Sequence, residues 1–310
     1  MEQKDSSLVS VIIPTYKRTD TLKNAIESIL QQTYDNLEII VVDDNDEDSE
    51  YRKSTEIVME QYSKNSKVRY VKNKENMGGA GARNVGIQEA RGEYLAFLDD
   101  DDTYYPEKIE KQLKVFLDSD SEKLALVYCD VEHVGKNDHV DCVIRKHYKG
   151  NCLYEAIEDD CIASTSMWLV KKSLLESVGN FSIVPCKQDS TVILKLLEKG
   201  YEVDFVPEVL CSYHNVADVE RISLGPKKVE GELMFYEACR KVYDRMTPKQ
   251  IRYIEFSFAK RLYILYSHRK QEGNKDRIAE RNRIWRLRPV AAVAFFLRRK
   301  IHVWRHRKKD

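Results

Sequence analysis

The amino-acid sequence predicts an α/β fold, a mostly parallel sheet covered by helices on both faces, with a C-terminal helical extension. Two observations carry the prediction: apolar runs alternate with helical patterns, and the connections between them are short. Strands buried on both faces form continuous apolar runs, as parallel strands between helices do. The 310 residues are 42% hydrophobic and 33% charged, which is enough apolar material for a core and excludes wholesale disorder.

The individual elements follow from these patterns in chain order. Apolar runs predict strands at residues 10–13, 38–42, 68–71, 94–98 and 124–128. Helical spacing and capping residues predict helices after Thr19 or Asp20, over 49–63 and 82–90, and from Pro106. The second half predicts helices at 171–178 and 190–199, a strand at 203–206, and mainly helix from residue 225 onward.

Several protein classes are disfavoured by composition. The sequence has no stretch of 18 uncharged apolar residues, and its first residues lack a basic start with a long apolar core. We therefore expect no membrane-spanning helix and no secretory signal. The expected location is the cytoplasm. The 7 cysteines are widely spaced without a Cys-x-x-Cys pair, so reduced thiols are favoured over disulfides or zinc.

The zero net charge hides a strongly basic tail. Residues 281–310 hold 11 Lys and Arg and one acid, whereas the remaining residues hold 40 bases and 50 acids. Apolar residues recur on one helical face of this tail, at Val290, Val293, Ala294, Leu297, Ile301 and Trp304. Basic side chains flank that face, at Arg298, Arg299, Lys300, Arg305 and Arg307. This pattern predicts binding to an anionic membrane surface, and packing on the protein's own body is the alternative.

Polar residues follow three of the predicted strands. These segments are Pro14 to Arg18, Asp43-Asp44, and Asp99 to Asp102. Ligands bind beyond the carboxyl ends of parallel strands, so the three segments should converge on one cleft. Four adjacent aspartates repel one another, and a hard divalent cation with a diphosphate would offset that repulsion. A solvated acidic loop is the alternative for the four aspartates, and a helix cap is the alternative for Asp43-Asp44.

A glycine-rich segment, Gly78 to Gly81, precedes one predicted helix. It lacks the Gly-Lys-Ser/Thr ending of a nucleotide-binding P-loop, so that site is not predicted. The glycines would allow close approach of the backbone, and Arg83 could meet an anion at the helix start. An ordinary tight turn is the alternative.

Two long segments carry a family resemblance. VSVIIPTYKRTDTLKNAIESILQQTYDNLEIIVVDD and NMGGAGARNVGIQEARGEYLAFLDDDDTYYPEKIEKQ resemble inverting family 2 glycosyltransferases of the GT-A fold, densely over residues 8–117 and weakly to about 215. The resemblance implies a nucleotide-sugar donor and Mn²⁺ or Mg²⁺. It implies that Pro14, Thr15, Tyr16 and Arg18 line the nucleotide, that Asp44 recognises the base, and that Arg83 and Asn84 lie near the diphosphate. It places Asp99, Asp100 and Asp101 in an Asp-x-Asp motif, with Asp99 near the ribose, Asp100 among the donor-binding residues, Asp101 on the metal and Asp102 in support.

The same resemblance implies a catalytic carboxylate before a helix in the second half. PCKQDSTVILKLLEKG supplies Asp189, although Gln188 stands where many members have Glu. Asp189 would be the base that accepts the proton of the acceptor hydroxyl, and a helix N-cap is the alternative role. His214 falls where some relatives contact the metal or phosphate, and a structural histidine is the alternative.

The resemblance therefore implies a metal-dependent glycosyltransferase that moves a sugar from a nucleotide sugar to a hydroxyl of a glycan or lipid-linked acceptor with inversion. A UDP-sugar as the donor is an inference at the level of the family. We expect a catalytic domain over residues 1–224, divided at 117 into nucleotide-sugar and acceptor halves, and a helical extension over 225–310. We expect a membrane-peripheral protein and no nucleic-acid partner. The rival functions are a nucleotidyltransferase, which usually has a glycine-rich first loop, and a non-catalytic nucleotide- or anion-binding module.

Overall fold

A mixed sheet with helices packed around it forms the body of the protein. The computed structural model describes residues 7–135, 139–160, 162, 164–214, 227–268 and 274–306. The strands are β1 (Val9–Thr15), β2 (Leu37–Asp43), β3 (Val68–Lys72), β4 (Tyr94–Phe97), β5 (Asp102–Tyr104), β6 (Leu124–Val134), β7 (Val140–Ile144), β8 (Leu169–Lys171) and β9 (Glu202–His214). The helices are α1 (Leu22–Leu30), α2 (Glu50–Glu60), α3 (Gly78–Glu89), α4 (Lys108–Leu117), α5 (Leu153–Asp159), α6 (Lys172–Ser177), α7 (Gln188–Glu198), α8 (Lys228–Arg240), α9 (Pro248–His268), α10 (Asn274–Leu287) and α11 (Pro289–His306).

The strand order explains how the polar segments are brought together. Within the described residues the order is β3-β2-β1-β4-β8-β6-β9-β5, with β7 paired to β6. Strands β1, β2, β3 and β4 are mutually parallel, so their carboxyl ends share one edge of the sheet. We call this edge, with the loops that follow it, the carboxyl edge. It is where ligands bind in open α/β sheets.

The sheet is not wholly parallel. Strand β8 is antiparallel to both β4 and β6, and β5 and β7 are antiparallel to β9 and β6. The predicted mostly parallel α/β sheet is therefore confirmed, and these three strands are its antiparallel members. β5 and β8 have only three residues each, too few for an apolar run to show their direction.

Helix boundaries also differ from the sequence prediction by a few residues, and the starts of α1 and α3 are the most informative cases. α1 begins at Leu22 with Thr21 as its N-cap, so neither Thr19 nor Asp20 holds the cap position. α3 begins at Gly78, so most of the predicted glycine-rich turn is the first turn of the helix. Gly86 on α3 lies so close to Ile12 on β1 that an added Cβ would overlap the Ile12 side chain. Small residues on α3 therefore allow it to press against the sheet.

One large apolar core joins the sheet to the C-terminal helices. Phe235 and Cys239 of α8 and Phe258 of α9 are buried in the same cluster as the strands. α10 and α11 form a smaller cluster with α9, which contains Phe256, Ala259, Ile284 and Ala292. The predicted boundary at residues 224 and 225 lies outside the described residues. No helix in the described ranges combines the length and apolar character needed to cross a bilayer.

The described cysteines are free thiols. They are Cys129, Cys142, Cys152, Cys186, Cys211 and Cys239, and Cys161 lies outside the described residues.

Candidate active site

The loop after β1 is held against the acidic segment that follows β4. Thr15 Oγ1 donates a hydrogen bond to Asp100 Oδ2 at 2.8 Å. Arg18 Nη1 donates to Asp100 Oδ1 at 3.2 Å and to Asp101 Oδ2 at 2.6 Å. Burial raises the pKa of Asp100 to about 7, and Arg18 and Thr15 oppose that rise because they favour the ionised carboxylate. Two of the three predicted segments therefore meet at the carboxyl edge.

The start of α3 also contacts the acidic segment, and we call the side chains that meet there the site cluster. Arg83 Nη2 donates to Asp99 Oδ1 at 2.5 Å. A Cβ added at Gly79 would lie 3.1 Å from Arg83 Nη1 and 3.5 Å from Gln188 Oε1. The first turn of α3 therefore lies beside Asp99 and beside the first residue of α7. The absence of a side chain at Gly79 leaves room for Arg83 between them.

Asp102 connects the acidic segment to the end of β9. Ser166 Oγ donates to Asp102 Oδ2 at 2.8 Å and accepts the backbone N–H of Asp99 at 3.2 Å. The backbone N–H of His214, the last residue of β9, faces Asp102 Oδ1 at 3.4 Å. Burial, with the neighbouring charges of Asp99 and Asp101, raises the pKa of Asp102 well above its usual value. His214 is thereby placed next to the four aspartates.

The two aspartates after β2 differ in surroundings. Asp43 is buried, forms an ion pair with Arg52 Nε at 3.0 Å and accepts a hydrogen bond from Tyr70. Asp44 Oδ1 accepts the Asn73 Nδ2–H at 2.7 Å and the Met77 N–H at 2.8 Å. Burial raises the pKa of Asp44, although these two donors act against the rise. Asp43 therefore anchors the loops, and Asp44 lies beside the segment that leads into α3.

Asp189 lies in the first turn of α7 and faces the same region. Its Oδ1 accepts the backbone N–H of Ser190 at 2.8 Å. Burial, followed by the negative charge of Asp160, raises the pKa of Asp189, and the Ser190 N–H, Lys187 and Arg83 act in the opposite direction. The N-cap of α7 is Lys187, so Asp189 does not hold the cap position that sequence reasoning offered as its alternative role.

The remaining predicted residues lie near this cluster with different neighbours. Pro14 is in β1 opposite Val42 of β2, and Tyr16 is 38% exposed in the loop that follows. The Asn84 side chain donates to the carbonyl oxygen of Phe181 at 2.9 Å and accepts its N–H at 3.0 Å. Asn84 therefore holds the segment before α7 against α3, and its predicted contact with a diphosphate stays a prediction.

Two residues of the cluster were not predicted from the sequence. Ser166 bridges the backbone of Asp99 and the carboxylate of Asp102 from the segment before β8. Asp160 follows α5, and its Oδ1 accepts the Ser190 Oγ–H at 2.7 Å. The Asp159-Asp160 acid pair is visible in the sequence, but its distance of about 30 residues from Ser190 gives no local signal of contact.

The described residues contain no group of three or more His, Cys, Asp or Glu side chains arranged to hold a metal ion. Mg²⁺ and Mn²⁺ sites in phosphate-transfer enzymes commonly use one or two protein carboxylates and take further oxygens from the substrate. Asp101 and His214 are the predicted ligands. His214 Nδ1 is buried, and no atom in the described part of the chain forms a hydrogen bond with it. That orphaned nitrogen fits a ligand role.

A family model decides the relationship of this chain to known proteins. The model described as glycosyl transferase family 2 matches residues 10–179, which run from the second residue of β1 to just beyond α6 and include the acidic segment. The chain belongs to glycosyl transferase family 2. As a member of this family it shares 42% identity over 134 residues with an uncharacterized glycosyltransferase of Rickettsia typhi, but the match covers 43% of this chain and only 39% of that relative. It shares 30% identity over 213 residues with an uncharacterized glycosyltransferase of Haemophilus influenzae, covering 67% and 69% of the two chains.

Solved structures confirm the GT-A fold for this family 2 member. Staphylococcus aureus TarS 1-349, solved with UDP-GlcNAc, superposes with a TM-score of 0.67 at 17% identity over 93% of this chain and 83% of that one. A mannosyltransferase of Pyrobaculum calidifontis, solved with GDP-Man and Mn²⁺, superposes with a TM-score of 0.55 at 19% identity, covering 94% and 75% of the two chains. At these identities the likeness establishes the fold.

Proposed function

We propose that the protein transfers a sugar from a nucleotide-sugar donor, most simply a UDP-sugar, to a hydroxyl of a glycan or lipid-linked acceptor, with inversion. One observation carries the proposal: the start of α7 with Asp189 lies beside the start of α3, where Arg83 contacts Asp99. This arrangement supports Asp189 as a base for the acceptor hydroxyl and Arg83 as a positively charged partner of the donor diphosphate in one cleft. The UDP-GlcNAc complex of TarS and the GDP-Man complex of the mannosyltransferase support this class of donor.

In this mechanism the residues of the chain divide into two groups. Asp189 accepts the proton of the acceptor hydroxyl as that oxygen attacks the anomeric carbon, and such base assistance is worth about 10²–10⁴-fold in rate. Its raised pKa makes it a stronger base than an ordinary aspartate. Arg83 and Arg18 stabilise the negative charge that develops on the departing nucleoside diphosphate. One displacement from the opposite side of the sugar inverts its configuration.

We also propose a divalent cation, Mn²⁺ or Mg²⁺, at Asp101 and His214, with Asp102 in support. A bound cation would supply charge neutralisation for the leaving diphosphate. The unpartnered Nδ1 of His214 among the described residues and the concentration of carboxylates beside it support this assignment. Arg18 pairs with Asp101 in this structure, so Arg18 has to share or give up that carboxylate when the cation binds.

A panel of nucleotide sugars tests the function. The protein would be incubated with UDP-, GDP- and dTDP-sugars, with Mn²⁺, Mg²⁺ or EDTA, and release of the nucleoside diphosphate measured. We expect release from one class of donor, loss of release with EDTA, and an inverted anomeric configuration in the product. Release of pyrophosphate from a nucleoside triphosphate and a sugar phosphate would instead indicate a nucleotidyltransferase. Binding of nucleotide without turnover on any acceptor would favour a binding module.

We further propose that α11 attaches the protein to the inner face of the cell membrane. Ala292, Phe295 and Phe296 pack toward α9 and α10, whereas Val290, Val293 and Leu297 on the predicted apolar face are exposed, Val290 by 86%. Arg298 beside them is exposed as well. One face of α11 therefore packs on the body and the other is free for lipid. The described side chains end at Arg299, so the predicted contributions of Lys300, Ile301, Trp304, Arg305 and Arg307 lie outside them.

Vesicle sedimentation tests this attachment. Val293→Asp with Leu297→Asp should reduce binding to phosphatidylglycerol vesicles at least tenfold, because the charges oppose both burial in the interface and attraction to the anionic lipid. Ile57→Asp is a matched control, since Ile57 on α2 is also an exposed apolar residue, 64% accessible. Equal binding of the double variant and the control would contradict a role for this face.

A further inference from the structure

A group of four charged side chains lies between α5, the start of α7 and the C-terminal helices α8 and α9. Lys187 Nζ forms ion pairs with Asp160 and, at 3.8 Å, with Glu232 Oε2 on α8. Glu232 Oε1 in turn pairs with Arg261 Nε on α9 at 2.6 Å. Glu232 is only 1% exposed. Buried charges persist where they are paired, and these four groups compensate one another.

The two residues at the centre of this group have uncommon backbone conformations. Asp160 and Lys187 lie in the left-handed region with φ of 53° and 64°, although neither is glycine. Such conformations cost free energy and persist only where surrounding contacts hold them, most often at functional sites. Asp160 directly follows α5, and Lys187 directly precedes α7. Their ion pair therefore joins the end of one helix to the beginning of the other.

The carboxylate of Asp160 holds the chain on both sides of Asp189. One oxygen, Oδ2, pairs with Lys187, and the other, Oδ1, accepts the Ser190 Oγ–H at 2.7 Å. Lys187 and Ser190 flank Gln188 and Asp189 in the sequence. Asp160 thus fixes the first turn of α7 at the point where Asp189 faces the cleft.

Helix α8 of the C-terminal extension packs closely against the segment that leads into α7. A Cβ added at Gly231 of α8 would lie 2.8 Å from the backbone nitrogen of Cys186, the residue before Lys187. Only a residue without a side chain permits that approach. Glu232 follows Gly231, which places its carboxylate against Lys187. The extension therefore contacts Cys186 and Lys187, which lie three and two residues before Asp189.

The charges around Asp189 come from several elements. Asp160 faces it from the end of α5, Lys187 from its own segment and Arg83 from α3, while Glu232 and Arg261 face Lys187 and Asp160 from α8 and α9. Although burial alone would raise it, the pKa of Asp160 is lowered, chiefly by Lys187. The pKa of Asp189 is raised by burial and then by the charge of Asp160. Two neighbouring carboxylates with pKa values moved apart take different roles.

We propose that Asp160 is a positioning residue for Asp189, and that Glu232 and Arg261 of the helical extension keep Lys187 aligned on Asp160. The inference rests on the proposed role of Asp189 as the base. Asp160 stays ionised, orients the first turn of α7 and strengthens Asp189 as a proton acceptor without touching substrate. The C-terminal helices are then part of the catalytic apparatus rather than an attachment to it.

Titration of Asp189 tests the proposal directly. In protein labelled with ¹³C at the aspartate carboxyl carbons, the Asp189 signal is assigned by its loss in Asp189→Asn and followed against pH. We expect the pKa of Asp189 to fall in Asp160→Asn, because a negative charge beside it is removed, and to stay near the wild-type value in Asp160→Glu. Asp159→Asn is the matched control, since Asp159 is adjacent in sequence but pairs with Lys146. An unchanged Asp189 titration in Asp160→Asn overturns the proposal.

Kinetics separate positioning from general stability. Asp160→Asn should lower kcat about ten- to a hundredfold and move the acidic limb of the kcat profile to lower pH, with little change in affinity for UDP and Mn²⁺. Ser190→Ala keeps every charge and removes only the hydroxyl, which donates to Asp160 Oδ1 at 2.7 Å and faces Asp189 Oδ1 at 3.4 Å, so it should lower kcat by less and shift the acidic limb little. If Asp160→Asn does not fold, the kcat of Ser190→Ala tests the proposal instead. An unchanged kcat in Ser190→Ala would contradict the positioning of Asp189 by Asp160. Wild-type protein that turns over no donor would contradict the proposed function, while the titration would still decide whether Asp160 governs Asp189.

Discussion

The pKa values of buried carboxylates are shifted in opposite directions at the two ends of the parallel strands. At the amino end, Glu38 on β2 accepts the Ser10 Oγ–H at 2.7 Å and the Arg91 N–H at 2.8 Å. Burial would raise its pKa, but these donors and the Arg91 guanidinium outweigh burial, and the pKa of Glu38 is lowered. At the carboxyl edge burial prevails, and the pKa values are raised at Asp44, Asp100 and Asp102.

The difference separates structural acids from acids available for function. Glu38 has its charge satisfied within the protein, so it can only contribute to the stability of the fold. The aspartates at the carboxyl edge crowd together and lose solvent without full compensation, which is unfavourable in the protein alone. Perturbed carboxylates in a cleft are typical of catalytic and ligand-binding sites. A cation and an acceptor hydroxyl would relieve that cost.

Asp189→Asn should have the largest effect. An amide cannot accept the proton of the acceptor hydroxyl, so kcat should fall about 10²–10⁴-fold while UDP still binds. Turnover with the preferred donor and binding of UDP by calorimetry would be measured side by side. Asp118→Asn, at the exposed end of α4, is the control. Turnover at the wild-type rate would remove Asp189 from the role of base.

Glu38→Gln should destabilise the fold by about 2 kcal/mol near pH 7, because bonds to a charged acceptor are weakened. The folded-state pKa of Glu38 is lowered, so its contribution is present above the unfolded value near 4.5 and is lost as the pH falls through the folded value. Urea unfolding at pH 7 and in acid measures this, with exposed Glu60→Gln as control. A difference that grows in acid would contradict the interpretation.

Asp100→Asn should have a smaller effect of opposite sign. The pKa of Asp100 is raised from 3.8 to about 7, so the folded state holds the extra proton between those values and loses stability as the pH rises through them. In EDTA at pH 8 the variant should be about 1 kcal/mol more stable than the wild type, and the gain should disappear near pH 4. Thermal unfolding across this range would show it, and equal pH dependence of the two proteins would argue against a raised pKa.

The sequence predicted well what local pattern determines. The strands β1 and β2 were placed within two residues because their apolar runs are continuous and end at polar residues. β9 is 13 residues long but was predicted over four, because polar residues interrupt its apolar pattern. The convergence of Arg18 with the acidic segment followed from strand direction alone, and the structure shows their contact.

The contacts around Asp160 could not be predicted for a physical reason. They join residues about 27 to 30 positions apart through side chains and left-handed backbone conformations, and neither leaves a periodic signal in the sequence. The packing of Gly231 against Cys186 could not be predicted from the sequence for the same reason. The residues of the carboxyl edge were recognisable by their position after strands, whereas the surroundings of Asp189 depend on how separate helices meet.

The antiparallel strand β8 restricts how the two parts of the sheet can move relative to each other. Because it is hydrogen-bonded to β4 on one side and β6 on the other, the backbone ladder runs unbroken between the two halves of the fold. A hinge between them would have to rupture that ladder. The spacing between the loops after β4 and the segments around β6 is therefore set by the sheet, and any adjustment to a ligand falls to side-chain rotamers and loops. Crystals grown with and without UDP should superpose strand for strand.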